Sequence, residues 1–449
     1  MSYSASSESS EPLDRTQEEP IPLGSRIVHK FFEPIILLVA LIDAVKHAAK
    51  PPPPEPPVDV KDPKQLFCAF VNKLGHVCDS EKGGDTVTSF VILKDESMSG
   101  RAQYVFAANR QTDSQLQATA AYVKMLLHKV SQAPEGQLNQ HYARGSLLYH
   151  ILRFNRPRVS IYLRELRSQA QLCLQKCQAD RTDENRALED RIAGFRSMEC
   201  WSEFLHTMRR ILAYPQSIQF FFLAKKQWPD LFRQVRVSFI ASSCPISKPI
   251  RNKSLTADGI VGRMTRKEEE IEIFRGFARA LQAFDLDDRI KEEYRKSSFR
   301  PIVHSEVLLL NWIANQGQIA SSRFFNDWMY IGGSKPMCKL CDYYFQEHRT
   351  GVEHRASHGN LYPSWRVPDV FPYQGKGASE ARQVMVDKVL RRVRRDAFDI
   401  VRKKALPSVK GDDSNTFSAG VTLEEMWSLH GSDADVDDIA SLLGQVDIG

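Results

Sequence analysis

The sequence predicts an α/β fold of one or two domains, because strand-like segments stand on both sides of a long helical region. An amphipathic helix and two β-rich runs lie within residues 61–110, and strand character returns at 300–303 and 328–331. With 449 residues, 42% of them hydrophobic and 26% charged, the chain has the composition of a globular protein that can bury a sizeable core.

The first 60 residues are predicted to precede the folded part. Residues 1–24 are rich in Ser, Glu and Pro and are expected to be disordered. Residues 26–50 have the pattern of a helix broken near its start by Pro34, and the proline-rich run 51–57 predicts a stiff polyproline II linker. We therefore expect the fold to begin near Lys61.

Residues 61–110 are predicted to form a helix followed by a hairpin. Between 63 and 78 the apolar residues recur at helical spacing, and the β-rich runs 86–93 and 103–107 are separated by a short segment with Ser and Gly. Residues 111–297 are then mostly helical in pattern, with one possible strand at 235–240 and no fixed-period repeat.

Residues 298–410 again mix both element types. Beyond the two strand-like runs, helices are predicted at 307–314, from Cys338 onward and at 379–405, and a β-like stretch at 361–370. The last of these helices carries a basic face, which is more often solvated surface than a binding site. Residues 411–449 are an acidic tail.

The charge is unevenly distributed along the chain. Residues 1–24 hold one Arg and five acidic residues, and residues 411–449 hold nine acidic residues and no Lys or Arg. Since the whole chain carries +6, residues 25–410 carry +19. This favours a nucleotide or nucleic acid partner, although charge that only maintains solubility is an alternative.

The chain is expected to be intracellular, in the cytoplasm or nucleus, and not to enter a membrane. Its longest aliphatic run, 35–42, is too short to cross a bilayer, and no signal peptide opens the sequence. The eight cysteines are too few for a dense disulfide framework, and we expect most to be buried thiols. The pair Cys338 and Cys341 is the exception, because it has metal-ligand spacing.

Four residues have the spacing of a zinc-dependent deaminase site. Such a site uses one His, a Glu two residues later that is not a ligand, and a distant Cys-x-x-Cys pair. His304, Glu306, Cys338 and Cys341 fit this pattern. His304 and Glu306 can converge only at a strand-to-helix junction, which the sequence offers there, and a helix start at Cys338 would favour the thiolates that zinc requires.

Several segments resemble the cytidine deaminase-like superfamily, and in particular a fungal-expanded branch related to bacterial toxin-type deaminases. The resemblance is carried by residues 82–88, 303–306, 333–341 and 357–360, followed by Trp365-Arg366. One departure is that Met337, and not Pro, immediately precedes the first Cys, with Pro336 one position earlier. This leaves the substrate-facing geometry open.

The resemblance implies a three-layer α-β-α sheet, hydrolytic deaminase activity on a nucleoside, nucleotide or nucleic acid, and a zinc cofactor. Zinc would be bound by His304, Cys338 and Cys341, and Glu306 would carry protons. Residues 298–410 would be the catalytic part, with 111–297 as an insertion or a second helical layer. The expected substrate-binding residues are His358, Asn360, Trp365 and Arg366.

Two other functions remain open from the sequence. Cys338, Cys341, His354 and His358 also have the spacing of a classical zinc finger, a nucleic-acid-binding module. Gly351 would lie inside the finger helix and cost about 1 kcal/mol, and this alternative leaves His304 and Glu306 unused. The second alternative is a catalytically silent scaffold that keeps zinc for folding.

Overall fold

The computed structural model describes residues 18–45, 57–95, 101–134, 137–179, 200–246, 249 and 255–403. Most of the predicted disordered N-terminus, nearly all of the proline-rich linker, part of the helical pattern at 186–212 and the acidic tail lie outside these residues. None of the described helices is long and apolar enough to cross a membrane.

A five-stranded mixed sheet forms the centre of the described fold. Its strands are β1 (Thr88–Lys94), β2 (Ala102–Ala108), β3 (Arg236–Ile240), β4 (Tyr330–Gly333) and β5 (Glu353–His354), in the order β3-β2-β1-β4-β5. The pairs β1–β2 and β1–β4 are antiparallel, whereas β2–β3 and β4–β5 are parallel. The predicted hairpin is therefore confirmed as the middle of the sheet.

Helices cover both faces of the sheet. Alternate residues of each strand point to opposite sides, and apolar residues on both sides pack against helices. Phe90 and Ile92 of β1 pack into one apolar core, and Val91 and Leu93 into the other. The first layer contains α2 (Pro63–Cys78), α3 (Asp113–Gln132), α4 (Gln137–Phe154), α5 (Arg156–Ala179) and α6 (Cys200–Gln227). The second contains α1 (Ser25–Val45), α7 (Ala257–Met264), α8 (Glu268–Leu281), α9 (Leu286–Arg295), α10 (Ser305–Asn315), α11 (Lys339–His348) and α12 (Gly375–Lys403). The three-layer α/β architecture is thus confirmed.

The N-terminal helix α1 belongs to the fold, so the expectation that folding begins near Lys61 is wrong. Phe31, Phe32 and Leu37 are at most 2% exposed and pack in the same core as α12. Pro34 lies inside α1 and does not break it. The burial of an almost continuous apolar run compensates for the backbone hydrogen bond that proline removes.

The middle region is more than a helical insertion. The run predicted as a possible strand is confirmed as β3, which pairs in parallel with β2 from Gln103↔Arg236 to Ala107↔Ile240. Residues 111–297 therefore supply an edge strand to the central sheet as well as helices to both layers.

Two predicted strands near the candidate site are wrong. Residues 300–303 and 361–370 contribute only one isolated bridge, in which Ile302 N donates to Ser364 O at 2.9 Å and Arg366 N donates to Ile302 O at 2.8 Å. Both positions next to β1 are already occupied by β2 and β4, and β5 takes the edge beyond β4. These segments consequently pair with each other at one position and do not join the sheet.

Close packing of α2 against β4 fixes the segment that leads to Cys338. A Cβ atom on Gly332 would lie 2.6 Å from Val71 Cγ1, and one on Gly75 would lie 2.7 Å from Ser334 N. Real Cβ atoms do not approach this closely, so only glycine permits the helix and strand to meet here.

Candidate active site

The starts of two helices bring the predicted metal ligands together. His304 is the residue before α10 and has an extended backbone (φ −72°, ψ 153°), and Cys338 occupies the same position before α11. His304 Nδ1 lies 3.6 Å from Cys338 Sγ and 3.4 Å from Cys341 Sγ, and the two sulfurs are 3.4 Å apart. An extended segment does enter a helix at His304, as predicted, although the segment before it forms a single bridge and no strand.

The spacing of these three atoms fits a zinc ion. With Zn–S near 2.3 Å and Zn–N near 2.0 Å, tetrahedral coordination places two sulfurs about 3.8 Å apart and sulfur and nitrogen about 3.5 Å apart. The two sulfur–nitrogen separations, 3.6 Å and 3.4 Å, agree with this, the sulfur–sulfur separation of 3.4 Å is slightly shorter, and all three ligand atoms lie within 4.8 Å of one another. His304, Cys338 and Cys341 can therefore hold a metal without backbone rearrangement.

The surroundings of the two sulfurs shift their pKa values in opposite directions and favour the thiolate of Cys338. Burial raises the pKa of Cys338, but hydrogen bonds from Cys341 and the His304 imidazole outweigh it and hold that pKa well below the usual range. Burial and the neighbouring Cys338 raise the pKa of Cys341. Trp365 Nε1 donates to Cys341 Sγ at 3.2 Å, which is the kind of contact that stabilises a coordinating thiolate.

The imidazole of His304 is charged more readily than usual in this setting. Burial lowers the pKa of His304, but the charge of the Cys338 thiolate and its hydrogen bond raise this pKa by more, so the net shift is upward. A metal ion competes with that proton for Nδ1.

Glu306 lies beside the three ligand atoms without joining them. Its carboxylate is buried, and Oε2 lies 4.0 Å from Cys341 Sγ and 3.4 Å from Ser305 Oγ. Burial raises the pKa of Glu306, although the charge of His304 opposes this. A carboxyl group with a raised pKa, next to a metal site, is suited to accept and return protons.

Asn109, which no sequence pattern singled out, fixes the start of α10. Its Oδ1 accepts a hydrogen bond from Ser305 N at 2.8 Å, and its Nδ2 donates to Gly84 O at 2.8 Å. The hydroxyl groups of Ser305 and Ser89 are 2.8 Å apart and join α10 to β1. A polar residue directly after the buried β2 was the signal that could have drawn attention to Asn109.

A pocket of about 630 Å³ opens onto His304, Glu306 and Cys338. Its walls come from widely separated parts of the chain, including α5 and α6 of the middle region. The cationic residues that line it are Lys82, Arg110, Arg158, Arg210, Lys296 and Lys335. The acidic residues that line it are Asp85, Glu293 and Glu306.

Of the four predicted substrate-binding residues, the structure places only His358 in the lining of this pocket. Asn360 instead supports the loop, since its N–H donates to His358 Nδ1 and its carbonyl accepts from Lys339 N, both at 2.9 Å. Arg366 is 6% exposed, makes two hydrogen bonds to Asp369 and does not line this pocket, and its expected role in substrate binding stays a prediction.

Trp365 also does not line the pocket, and its expected role in substrate binding stays a prediction. Its side chain is fully buried, 6.0 Å from the ring of Phe31 in α1, and its N–H points at Cys341. The indole therefore lies next to a candidate metal ligand.

The zinc-finger alternative does not match the geometry. A finger needs its histidines on a helix, whereas His354 lies on β5 with Nδ1 bonded to Arg355 O at 2.8 Å. Among the described residues, the group close enough to share a metal consists of His304, Cys338 and Cys341, without either finger histidine.

Residues 303–369 match the family model described as OTT_1508_deam:-like deaminase. This segment is similar to a deaminase family. The matched range contains the three ligand residues and Glu306, so the sequence match and the geometry point to the same site. Comparisons with curated proteins and with solved structures found no match. The similarity to a deaminase family therefore concerns residues 303–369 of the chain.

The hydrogen bond from Trp365 to Cys341 leads to a testable expectation about metal affinity. Trp365→Phe removes the N–H and should lower zinc affinity about 10- to 100-fold, measured by competition with a chelator of known strength. Trp312→Phe in α10 is a matched control, because Trp312 Nε1 makes no hydrogen bond within the described structure. Equal zinc affinity in the two variants would contradict the role assigned to Trp365.

Proposed function

We propose that this chain is a zinc-dependent hydrolytic deaminase that acts on a base in a nucleoside, nucleotide or nucleic acid. The observation that carries the proposal is the convergence of His304, Cys338 and Cys341 within 4.8 Å, with Glu306 beside them at the wall of one pocket. The match of residues 303–369 to a deaminase family supports the reaction type. The relation to a fungal, toxin-type branch stays a prediction.

The reaction replaces an amino group on a ring carbon by oxygen from water and releases ammonia. A zinc ion held by these three residues would supply a water molecule of lowered pKa as the nucleophile. Glu306 would accept a proton from the attacking water and give it to the ring nitrogen. It would then take the second proton from the new hydroxyl group on the ring carbon and pass it to the amine, so that the C–N bond breaks, ammonia leaves and a carbonyl remains. The raised pKa of Glu306, caused by burial, suits both the accepting and the donating step.

The sides of the pocket explain how a base would be held for this step. His358 offers a ring nitrogen and a flat surface next to Tyr362, with ring centroids 5.7 Å apart, and both residues line the pocket. Asn109 keeps α10, and therefore Glu306, in register with the sheet.

Ammonia release is the direct test. The zinc-loaded full-length chain would be incubated with a panel of nucleosides, nucleotides and single-stranded oligonucleotides, with and without a chelator. Chelator-sensitive ammonia release from at least one base is expected. Ammonia release that is unaffected by metal removal would contradict the zinc-dependent mechanism.

The acidic segment 411–449 is expected to compete with polyanions for the basic remainder of the chain. Because it carries −9 against +19 on residues 25–410, deleting it should tighten oligonucleotide binding severalfold at low salt. The effect should fade as salt screens the charges. Fluorescence anisotropy across a salt series measures this, and unchanged affinity at low ionic strength would show that the segment does not compete.

A further inference from the structure

Among the described residues, six cationic and three acidic side chains line the pocket, and three of the cationic ones, Arg158, Lys82 and Lys296, are paired with carboxylates. Of the other three, Arg110 and Lys335 lie next to the metal ligands in sequence or in contact. We propose that the pocket takes a free phosphorylated nucleotide, whose phosphate is bound by Arg110 and Lys335 beside the metal centre. This inference rests on the proposed function, and it narrows the substrate from any base-containing compound to a mononucleotide.

Arg110 and Lys335 belong to one connected surface next to the metal ligands. Lys335 Nζ donates to Gly83 O at 2.5 Å, and Arg110 follows Asn109, which binds both Gly84 O and Ser305 N. Both cationic residues line the pocket, and Lys335 is three residues before Cys338. They therefore line the same cavity as the ligand atoms, where the sugar phosphate of a bound nucleotide can reach them.

The loop at Gly83 and Gly84 leaves room for a phosphate there. Gly83 has φ +126°, a conformation that favours glycine, and no atom lies within 4 Å of where a Cβ would stand on either residue. Side chains at these positions would occupy part of the space between Lys82 and Asp85. A small-residue loop beside cationic side chains is a common arrangement for binding phosphate.

The dimensions and walls of the pocket favour a single nucleotide over a strand. A volume of about 630 Å³ is in the range of a pocket for one small ligand. The helical region closes one side through Arg158 and Tyr162, which are both 2% exposed and joined by a 2.6 Å hydrogen bond. Arg158 is also anchored by the Asp79 carboxylate at 2.6 Å, so this wall is firmly held. A continuous strand therefore cannot leave the pocket on this side.

A substitution of Asp85 is expected to change nucleotide affinity in the direction opposite to a substitution of Arg110. Its carboxylate lies 3.5 Å from Arg110 Nη1 and is 60% exposed, so it occupies the guanidinium when no phosphate is present. Arg110 Nη2 donates to Arg300 O at 3.0 Å, so a phosphate at this guanidinium would compete with Asp85 for Nη1. Asp85→Asn should therefore strengthen nucleotide binding, whereas Arg110→Gln should weaken it.

Calorimetric titration of the zinc-loaded full-length chain tests the inference. The probes are cytidine and adenosine, their 5′-monophosphates and a single-stranded oligonucleotide of each base. Glu306→Gln serves as the binding background so that turnover does not intervene. One monophosphate is expected to bind about 10- to 100-fold more tightly than its nucleoside and than the oligonucleotide. Arg110→Gln should remove this difference, and Asp85→Asn should increase it.

The controls separate failure of this inference from failure of the proposed function. Arg233→Gln changes an exposed arginine outside the pocket and should leave every affinity unchanged. Equal binding of nucleoside and monophosphate, or tighter binding of the oligonucleotide, would overturn the phosphate assignment while deamination could still occur. Phosphate-dependent binding without ammonia release from the wild-type chain would instead contradict the deaminase proposal. Thermal unfolding of each variant shows whether it is folded. If Arg110→Gln does not fold, the affinity of Asp85→Asn still tests the inference.

Discussion

Replacing Glu306 with Gln is expected to lower the rate of deamination by about 10²- to 10⁴-fold while zinc stays bound. The amide keeps the size of the side chain but cannot carry a proton between water, ring nitrogen and amine. Glu306 Oε2 is 4.0 Å from Cys341 Sγ, and the carboxylate lies outside the group of three ligand atoms. Its loss should therefore leave the metal site intact.

Two measurements on the same sample separate proton transfer from metal binding. Ammonia release gives the rate, and elemental analysis of the dialysed protein gives the zinc content. Glu353→Gln is a suitable control, because this exposed carboxylate on β5 pairs with Lys64 away from the pocket. Loss of zinc together with activity, or activity close to wild type, would show that Glu306 is not the proton carrier.

The metal site could be predicted because its determinants are local in sequence. Two residues at i and i+2 converge only where an extended segment enters a helix, and His304 and Glu306 occupy such a junction. Cys338 and Cys341 lie on one side of the start of α11, because residues three positions apart face the same way in a helix. Residue type and spacing therefore predicted, without knowledge of the fold, that these four residues lie close together, as they do.

The surroundings of the site could not be predicted, because they depend on contacts between distant segments. Trp365 was expected in the pocket, since aromatic residues often stack on bases, but burial against Phe31 turns it toward Cys341. Phe31 lies in α1, which was expected to precede the fold. No local pattern reports that an apolar N-terminal helix packs against a residue more than 300 positions away.

The charge pattern had a similar limit. The excess of basic residues predicted an anionic partner, but not which of them line a cavity. Arg158 and Arg210 reach the pocket only because α5 and α6 pack beside the sheet. The same region also supplies β3, the edge strand next to β2. The middle region therefore shapes the pocket, a role that its helical pattern alone did not indicate.

His304→Ala is expected to release the metal, and His354→Ala to leave it in place. His304 Nδ1 is within 3.6 Å of both sulfurs, so its removal leaves two ligands, too few for a zinc site. His354 Nε2 instead lies 3.7 Å from Asp342 Oδ1, and its ring packs against Phe345. Zinc content after dialysis against a weak chelator measures the difference.

X-ray absorption at the zinc edge of the wild-type protein identifies the ligands themselves. Two sulfurs and one imidazole nitrogen are expected, with the fourth position open, as catalysis requires. A zinc finger built from Cys338, Cys341, His354 and His358 would show two imidazoles and no open position. Loss of zinc in His354→Ala, together with its retention in His304→Ala, would contradict the deaminase proposal, because Glu306 would then have no metal centre beside it.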